Sequence, residues 1–371
     1  MLRSWLIFLS RTHPGWTPQK PINVQGPVQR AVAWNCLPSC IGSLPHTDPS
    51  KAVDLVLEKL TSIPIWPQLP NRGFSENMYA QYATRLPGVR IDNARKKVQV
   101  DLRDYDPEEI YMAILSEDID FFAMPEENFS GFYELMSRPL PDSAVAVKGQ
   151  VTGPISLGLQ TIDQDDKPVI YDETYGEIVR KNLNMIARWQ ERELRRKCPN
   201  TIIFLDEPYL SMIGTPFASV SGEDATAWIN EAVDGLEGTR GLHCCANTDW
   251  PMVMGTDIDL LSFDAYDYGH TIALYPEEAA AFLERGGAFA WGIVPNNEEI
   301  LAREDVRSIV QRAEEAFRGL IDKGIDEDLL LERSMLTPQC GLSGLDEATA
   351  AKVLDLLTKV SEEIRSSRSL D

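Results

Sequence analysis

Three residues that commonly bind metal ions stand out in this sequence: His243, Cys245 and Cys340. His243 and Cys245 are spaced as His-x-Cys at the end of an apolar run that begins near Gly241. In an extended strand, residues i and i+2 point to the same side, so these two side chains project together while Cys244 points away. An imidazole and a thiolate on one face form half of a zinc site, and Cys340, which follows a second apolar run, offers a third ligand.

A plainer interpretation is a half-buried histidine beside inert core cysteines, because cysteine often behaves as a small apolar residue. The chain has six cysteines and four histidines in 371 residues, so their placement at strand ends favours the metal hypothesis without excluding the plainer one. Six cysteines in a chain of this length, two of them adjacent, do not resemble a disulfide framework. We therefore expect reduced thiols and a cytoplasmic protein.

Composition and charge narrow the possible classes of function. A net charge of −22 argues against non-specific nucleic-acid binding, which requires basic surface to neutralise phosphates. No apolar stretch approaches the roughly 20 residues that a membrane-spanning helix needs. The first residues combine a charge with a short apolar run but lack a small-residue cleavage site. We predict a poorly ordered leader over residues 1–30 and a single domain over residues 31–371.

Strand-like apolar runs alternate with amphipathic helical patterns along the chain. Eight such runs lie at residues 40–41, 63–66, 144–147, 201–205, 241–245, 259–263, 288–293 and 329–335. Strands that alternate with helices indicate a parallel α/β architecture, and their number favours a (β/α)8 TIM barrel over an open sheet. The first third is less regular and contains an insertion, in which residues 90–103 form a candidate hairpin.

In a barrel of this type, chemistry collects in the loops at the carboxyl ends of the strands. Polar residues do lie at or just after the carboxyl ends of the predicted strands: Ser43, Gln68, Asp206, Glu207, His243, Cys245, Asp264, Asn296 and Cys340. The sequence has no phosphate-binding G-x-G-x-x-G or Walker loop and no G-x-S-x-G motif. A nucleotide-binding fold and a serine hydrolase therefore have no support.

Five segments, in this order, resemble the catalytic barrel of cobalamin-independent methionine synthases: Ile41-Gly-Ser43, Val151-Thr-Gly-Pro154, Leu205-Asp-Glu-Pro208, His243-x-Cys245 and Pro338-Gln-Cys-Gly-Leu342. The resemblance runs from about Trp34 to the end. It extends to the superfamily that also contains uroporphyrinogen decarboxylases and zinc methyltransferases. Long members of the family carry an additional N-terminal barrel that helps to bind polyglutamylated methylfolate, whereas this chain is similar to the short, single-barrel forms.

The resemblance implies that Zn²⁺ binds homocysteine as a thiolate, which attacks an activated methyl group and gives methionine. Carried over to this sequence, the zinc ligands are His243, Cys245 and Cys340. The family supplies a glutamate as fourth ligand, and Asp264 stands near that position with one methylene fewer. Either Asp264 is the fourth ligand, or the zinc has three protein ligands plus water or substrate, as catalytic sites often do.

The resemblance also assigns substrate contacts. Asp206 resembles the catalytic aspartate that meets the substrate ammonium, although a helix cap or a strand-end ion pair would also explain an aspartate there. Ile41 and Ser43 resemble the backbone and hydroxyl contacts to the substrate carboxylate. The glutamate in the family's first half has no clean counterpart, and Glu76 is the candidate substitute. Glu207 points to the other face of its strand, which favours a structural role.

The methyl donor is where the sequence departs most from its long relatives. Folate-using members carry a histidine acid in a loop that corresponds to residues 291–297, and this chain has none there. A tetrahydrofolate leaving group needs a proton, whereas a cob(I)alamin leaving group does not. We therefore expect a methylcorrinoid donor, either methylcobalamin or a corrinoid protein. His270 is an alternative acid that would restore a folate-using enzyme.

Three further hypotheses remain. The acceptor could be another thiol such as coenzyme M, but that molecule has no ammonium group to pair with Asp206. A uroporphyrinogen decarboxylase would leave the predicted zinc ligands without a role. A non-catalytic zinc-binding barrel would have a closed site with four protein ligands.

Overall fold

The computed structural model describes residues 32–370, so the leader predicted over residues 1–30 lies outside the described part. The strands in this part are β1 (Leu37–Pro38), β2 (Val89–Asp92), β3 (Lys97–Val100), β4 (Val147–Thr152), β5 (Thr161–Ile162), β6 (Thr201–Asp206), β7 (Thr239–Cys244), β8 (Leu260–Phe263), β9 (Ala288–Val294) and β10 (Ser334–Pro338). Seven of them form one sheet in the order β1-β10-β9-β8-β7-β6-β4, with every neighbouring pair parallel. The predicted α/β class is confirmed.

Most strands of this sheet are followed by helices. The α-helices are Pro49–Lys59, Met78–Ala83, Glu108–Leu115, Ser130–Ser137, Pro154–Gln160, Glu173–Arg195, Gly222–Val233, Trp250–Met254, Ala265–Ile272, Pro276–Glu284, Glu298–Leu301, Val306–Ile321, Glu327–Glu332 and Glu347–Arg368. Aspartate side chains cap many of their first turns, as Asp172 does for Tyr175 N, because these N–H groups have no partner within the helix. No helix between residues 32 and 370 combines the length and apolar character that crossing a membrane requires.

The predicted strand at residues 63–66 is not regular. Ile65 forms an isolated parallel bridge to Lys148 on β4, and Gln68, slightly further on, forms another to Ser43 after β1. Prolines on both sides of Ile65 and its neighbour interrupt a continuous ladder, since proline has no N–H to donate. The described residues therefore show a curled sheet of seven strands, and the full eight-stranded barrel is not confirmed.

The two edges of this sheet approach each other. Strands β1 and β4 stand at opposite edges, yet the Nζ of Lys148 on β4 lies 2.5 Å from the carbonyl oxygen of Ile41, shortly after β1. This contact requires the sheet to curl. Since all seven strands run in the same direction, their carboxyl ends lie along one rim, where groups from distant parts of the sequence can meet.

One predicted strand boundary is wrong for an identifiable reason. The apolar run at residues 329–335 was expected to be a strand, but Glu327–Glu332 is a helix and β10 begins only at Ser334. A short leucine run fits either structure by periodicity alone. Asp326 decides for the helix, because its side chain accepts a hydrogen bond from Leu329 N and caps the first turn.

The insertion in the first third contains the expected hairpin. Strands β2 and β3 pair antiparallel from Val89 with Val100 to Asp92 with Lys97, and β5 adds a parallel neighbour to β3. This small sheet is separate from the seven-stranded one.

Aromatic side chains hold the large sheet against its outer helices. The rings of Phe263 on β8 and Trp291 on β9 have centroids 5.2 Å apart, and Trp291 lies 5.1 Å from Phe317 of the helix Val306–Ile321. All three side chains are buried. Burial of an aromatic side chain of this size contributes about 1.5–3 kcal/mol, so the packing fixes the positions of β8 and β9 and of the loops that follow them.

Candidate metal centre and acceptor site

The three predicted metal ligands meet at the rim. One ring nitrogen of His243 and the Sγ atoms of Cys245 and Cys340 all lie within 4.8 Å of one another. His243 is the last but one residue of β7, Cys245 comes directly after that strand, and Cys340 comes two residues after β10. The group thus joins residues that are almost one hundred positions apart in sequence.

His243 is prepared for a ligand on one of its two nitrogens. Its Nδ1 lies 3.0 Å from the hydroxyl oxygen of Ser262, which stands beside it on β8. Its Nε2 is buried and has no hydrogen-bond partner in the described part of the chain. An unpaired polar atom in the interior costs free energy, and coordination to a metal would remove that cost. Histidine ligands are typically oriented by a hydrogen bond on the other ring nitrogen, which Ser262 supplies here.

The two thiols share charge unequally. The neighbouring Cys340 thiol, and after it the imidazole of His243, lowers the pKa of the Cys245 thiol. The proximity of Cys245, together with burial, raises the pKa of Cys340. Cys245 is therefore the thiol that loses its proton more readily. A divalent cation would favour deprotonation of both, because metals bind cysteine as the thiolate. Two sulfurs and one imidazole are a donor set that fits zinc.

Asp264 lies beside this group without being part of it. It directly follows β8 and caps the helix Ala265–Ile272, where its Oδ1 accepts a hydrogen bond from Asp267 N. Both of its carboxylate oxygens also accept hydrogen bonds, 3.1 Å long, from the side-chain amide of Gln339. Because Gln339 precedes Cys340, this contact helps to fix the Cys340 loop. The role of Asp264 as fourth ligand stays a prediction.

Asp206 presents an unpartnered carboxylate oxygen near the thiols. It is the last residue of β6 and stands beside His243 in the parallel ladder. Its side chain is buried, and Oδ1 has no hydrogen-bond partner within residues 32–370. Burial raises its pKa to about 6, while the positive charges of Lys148 and His243 act in the opposite direction. Such a group can accept a hydrogen bond from a cationic ligand.

Glu207 has the structural role that its position in sequence favours. Its fully buried carboxylate accepts hydrogen bonds from Ile155 N, Ser156 N and the Ser156 hydroxyl, at 2.8, 2.9 and 2.6 Å. These donors lie in the first turn of the helix Pro154–Gln160, so Glu207 caps that helix from the next strand of the sheet. Two of the segments that carry the family resemblance are therefore one structural unit.

Ser43 and Ile41 lie at the same rim. The carbonyl oxygen of Ser43 accepts a hydrogen bond from Leu342 N, and its hydroxyl lies so close to Gly341 that a Cβ there would be 2.1 Å from it. Ser43 therefore packs directly against the residue that follows Cys340. The carbonyl oxygen of Ile41 is occupied by Lys148, as described above.

Glu76 is in a different situation from Asp206. Its carboxylate accepts hydrogen bonds from the Arg72 guanidinium and the Ser130 hydroxyl, and the hydroxyl reaches both oxygens at 2.9 Å. Both oxygens are thus already bonded within the protein, which makes Asp206 the stronger candidate for binding a substrate ammonium. The assignment of Glu76 to the substrate stays a prediction.

Sequence reasoning missed three residues around the site: Ser262, Lys148 and Tyr79. Ser262 could have been noticed as an isolated polar residue within an apolar strand, and Lys148 as a charge directly after the apolar run 144–147. Tyr79, half-buried on the helix Met78–Ala83, had no such signal. Burial mainly raises the pKa of Tyr79, followed by the neighbouring Tyr209 and, more weakly, by the charges of Glu207, Cys245 and Asp206.

Comparison with solved structures places the fold among known proteins, although no family model and no curated protein matches the sequence. A B12-independent methionine synthase from Shewanella, solved with selenomethionine, shares 14% identity at a TM-score of 0.52, over 90% of this chain and 98% of that one. A protein from Listeria monocytogenes, described as a vitamin-B12-independent methionine synthase, shares 16% identity at a TM-score of 0.57, over 91% and 99%.

A third similar structure is a methyltransferase from Methanosarcina mazei, with 13% identity, a TM-score of 0.53, and coverage of 91% of this chain and 95% of that one. At these identities the similarity concerns the fold alone. The chain has the fold of methionine synthase-like and methyltransferase proteins along almost its whole described length.

Proposed function

We propose that this protein is a zinc-dependent methyltransferase that methylates the thiol of homocysteine to give methionine, with a methylcorrinoid as donor. The observation that carries the proposal is the convergence of His243, Cys245 and Cys340 beside the unpartnered carboxylate oxygen of Asp206. A thiol amino acid needs both features, one for sulfur and one for the ammonium group. The solved structures with this fold are named as methionine synthases and a methyltransferase, which supports the reaction class.

Each residue of the site has a definite task in this proposal. His243, Cys245 and Cys340 would hold the zinc, and Ser262 would keep the imidazole oriented. The chemistry that zinc supplies when bound is a lower pKa for a coordinated thiol, so that a nucleophilic thiolate exists near neutral pH. The ammonium group of the acceptor would donate a hydrogen bond to the Asp206 carboxylate.

Ser43 is the proposed contact for the carboxylate end of the acceptor. Ser43 is partly exposed, and its hydroxyl group lies next to the Cys340 loop, on the same rim as Asp206. If the protein holds both the ammonium and the carboxylate group of the acceptor, the acceptor sulfur has a fixed orientation towards the methyl donor. Such orientation lowers the barrier of a bimolecular step.

The function is tested by acceptor binding and methyl transfer with the zinc-loaded protein. Homocysteine is expected to bind with release of about one proton, since the bound form is the thiolate. Asp206→Asn should weaken homocysteine binding about tenfold or more, because the ammonium loses a charged partner, but should not change binding of coenzyme M. Calorimetry in buffers of different ionisation enthalpy measures both affinity and proton release.

Two outcomes would contradict the proposal. Unchanged homocysteine affinity in Asp206→Asn would move Asp206 into a structural role. Methylation of coenzyme M but not of homocysteine would assign the enzyme to another thiol acceptor.

A further inference from the structure

A lysine without any exposed surface lies between the two halves of the proposed acceptor site. Lys148 on β4 is 0% exposed. Its Nζ donates a hydrogen bond to the Ile41 carbonyl oxygen at 2.5 Å, has a longer contact of 3.4 Å with the Gln150 side-chain oxygen, and lies 4.2 Å from the centre of the Phe204 ring. Lysine is rarely buried to this extent unless it is paired with an opposite charge.

Burying the charge of Lys148 costs free energy of desolvation, so a functional or structural role is expected for it. Burial lowers the pKa of Lys148 to about 8, while the negative potential of Asp206 and of Cys40 acts in the opposite direction. The ammonium form still predominates at neutral pH. The interior of a barrel sheet is usually filled by branched apolar residues, and such a residue at this position would avoid the cost of desolvation.

Lys148 lies on the same side of the sheet as Asp206 without occupying its oxygen atoms. Lys148 pairs with Ile202 on β6, and Ile202, Phe204 and Asp206 point to one side of that strand. The ammonium group donates to the Ile41 carbonyl oxygen and to the Gln150 side-chain oxygen, and neither partner is a carboxylate. A direct ion pair would have used the oxygen that Asp206 now leaves without a partner. The carbonyl oxygen of Ile41 and the ring of Phe204 hold the ammonium group in this intermediate position.

The same ammonium group fixes the segment that carries Ser43. Ile41 lies two residues before Ser43, and the hydrogen bond from Lys148 joins this segment to β4, at the opposite edge of the sheet. A single buried cation is thus linked to both proposed contacts for the amino-acid part of the acceptor.

We propose that Lys148 is a positioning residue for an amino-acid acceptor: its hydrogen bond to Ile41 holds the Ile41–Ser43 segment in place and leaves the Asp206 carboxylate oxygen free for the acceptor's ammonium group. The inference rests on the proposed function. It goes beyond that function because Lys148 would affect recognition of the amino and carboxylate groups of the acceptor without contacting either group. It predicts that Lys148 affects affinity for thiols that are amino acids, and not affinity for thiols in general.

The test compares homocysteine with propanethiol, which has the thiol but lacks the amino and carboxylate groups. Zinc-loaded wild-type protein, Lys148→Met and Lys148→Gln are titrated with each thiol by calorimetry, and zinc content and Tm are measured in parallel. Lys148→Met should weaken homocysteine binding about tenfold or more, leave propanethiol binding unchanged and retain zinc. Lys148→Gln keeps a hydrogen-bond donor but loses the charge, and it remains informative if the Met variant fails to fold.

Arg285→Met is the matched control. Arg285 also donates hydrogen bonds to main-chain carbonyls, those of Met254, Thr256 and Ile258, and lies over the ring of Phe282, but it is near the start of β8, at the opposite end of the sheet. Its replacement should lower Tm and leave the ratio of the two affinities unchanged.

The outcomes separate the inference from the function on which it rests. If wild-type protein prefers homocysteine to propanethiol and both Lys148 variants keep that preference, Lys148 is merely structural and the inference is wrong. If wild-type protein shows no preference for homocysteine, the proposed function fails, and the inference fails with it.

Discussion

Two buried polar atoms without partners define the site at the scale of single residues. His243 Nε2 and Asp206 Oδ1 are both buried, and neither has a hydrogen-bond partner in the described part of the chain. Most buried polar atoms in proteins are paired, so two such exceptions on adjacent strands indicate a place where ligands bind. The types of the two atoms differ, since one suits a metal ion and the other a cationic group.

The metal centre gives the first prediction at this scale. Purified protein should contain about one zinc per chain, and Cys245→Ala should lose most of it, because a three-ligand site that loses a thiolate binds zinc far more weakly. Cys244→Ala is the matched control, since Cys244 is the adjacent residue, is fully buried and lies outside the ligand group. Elemental analysis of dialysed protein measures the difference.

A stricter test of the metal centre replaces both proposed cysteine ligands. Stoichiometric zinc in a Cys245→Ser, Cys340→Ser double variant that remains folded by circular dichroism would end the assignment of this group as the metal site.

At the scale of elements, the loops of neighbouring strands hold one another in position. Glu207, after β6, caps the helix Pro154–Gln160, which follows β4, and Gly153 lets the two approach. A Cβ on Gly153 would lie 2.2 Å from the Glu207 carboxylate, a distance that real structures do not contain. Asp206 is adjacent to Glu207, so this capping contact also fixes the position of the proposed substrate aspartate.

Gly153→Ala should therefore lower the free energy of unfolding by about 1–3 kcal/mol, the usual cost of forcing atoms into a packed interior. Gly222→Ala is the control, because Gly222 also stands at a helix start but a Cβ there meets its nearest neighbour, Met252 Sδ, at 3.7 Å. That variant should be neutral or slightly stabilising. Urea unfolding measures both, and equal stability of the two variants would contradict the capping contact.

At the scale of the whole molecule, the distribution of histidines bears on the methyl donor. Besides His243, the part of the chain that the structure describes contains His46 and His270. The Nε2 of His46 lies 3.9 Å from the carboxylate of Glu347, and His270 is exposed near the end of the helix Ala265–Ile272. The side-chain amide of Asn296 donates a hydrogen bond to the Gly341 carbonyl oxygen.

Methylcobalamin or a methylated corrinoid protein is therefore expected to support turnover, whereas methyltetrahydrofolate should be slower by about 10²–10⁴-fold, the usual contribution of a general acid. Methyl-transfer rates with homocysteine and each donor measure this ratio, and His270→Asn should leave it unchanged. Comparable rates with both donors, with the folate rate alone abolished in His270→Asn, would restore a folate-using enzyme.

The sequence by itself determined the local features of this protein. Alternation of apolar runs and amphipathic stretches predicted an α/β fold, and residues 90–103 were a candidate for an inserted hairpin. His243 and Cys245 could be paired from their spacing, because the period of a strand is local information. The sequence also placed Asp206 and Ser43 after strands, and so at the rim.

Tertiary structure alone decided which of these residues meet. Cys340 lies beside His243 and Cys245 because β10 and β7 both end at the same rim of the sheet. No local sequence pattern predicts the distance between Cys340 and the other two residues. The sequence offered Glu76 as a substitute for a glutamate that contacts the substrate amino group, but only the fold shows that its carboxylate is bonded to Arg72 and Ser130. The role proposed for Lys148 could not be predicted from the sequence. It depends on the curling of the sheet, which brings the Ile41 carbonyl oxygen to the Lys148 ammonium group, and no spacing in the sequence encodes such a contact.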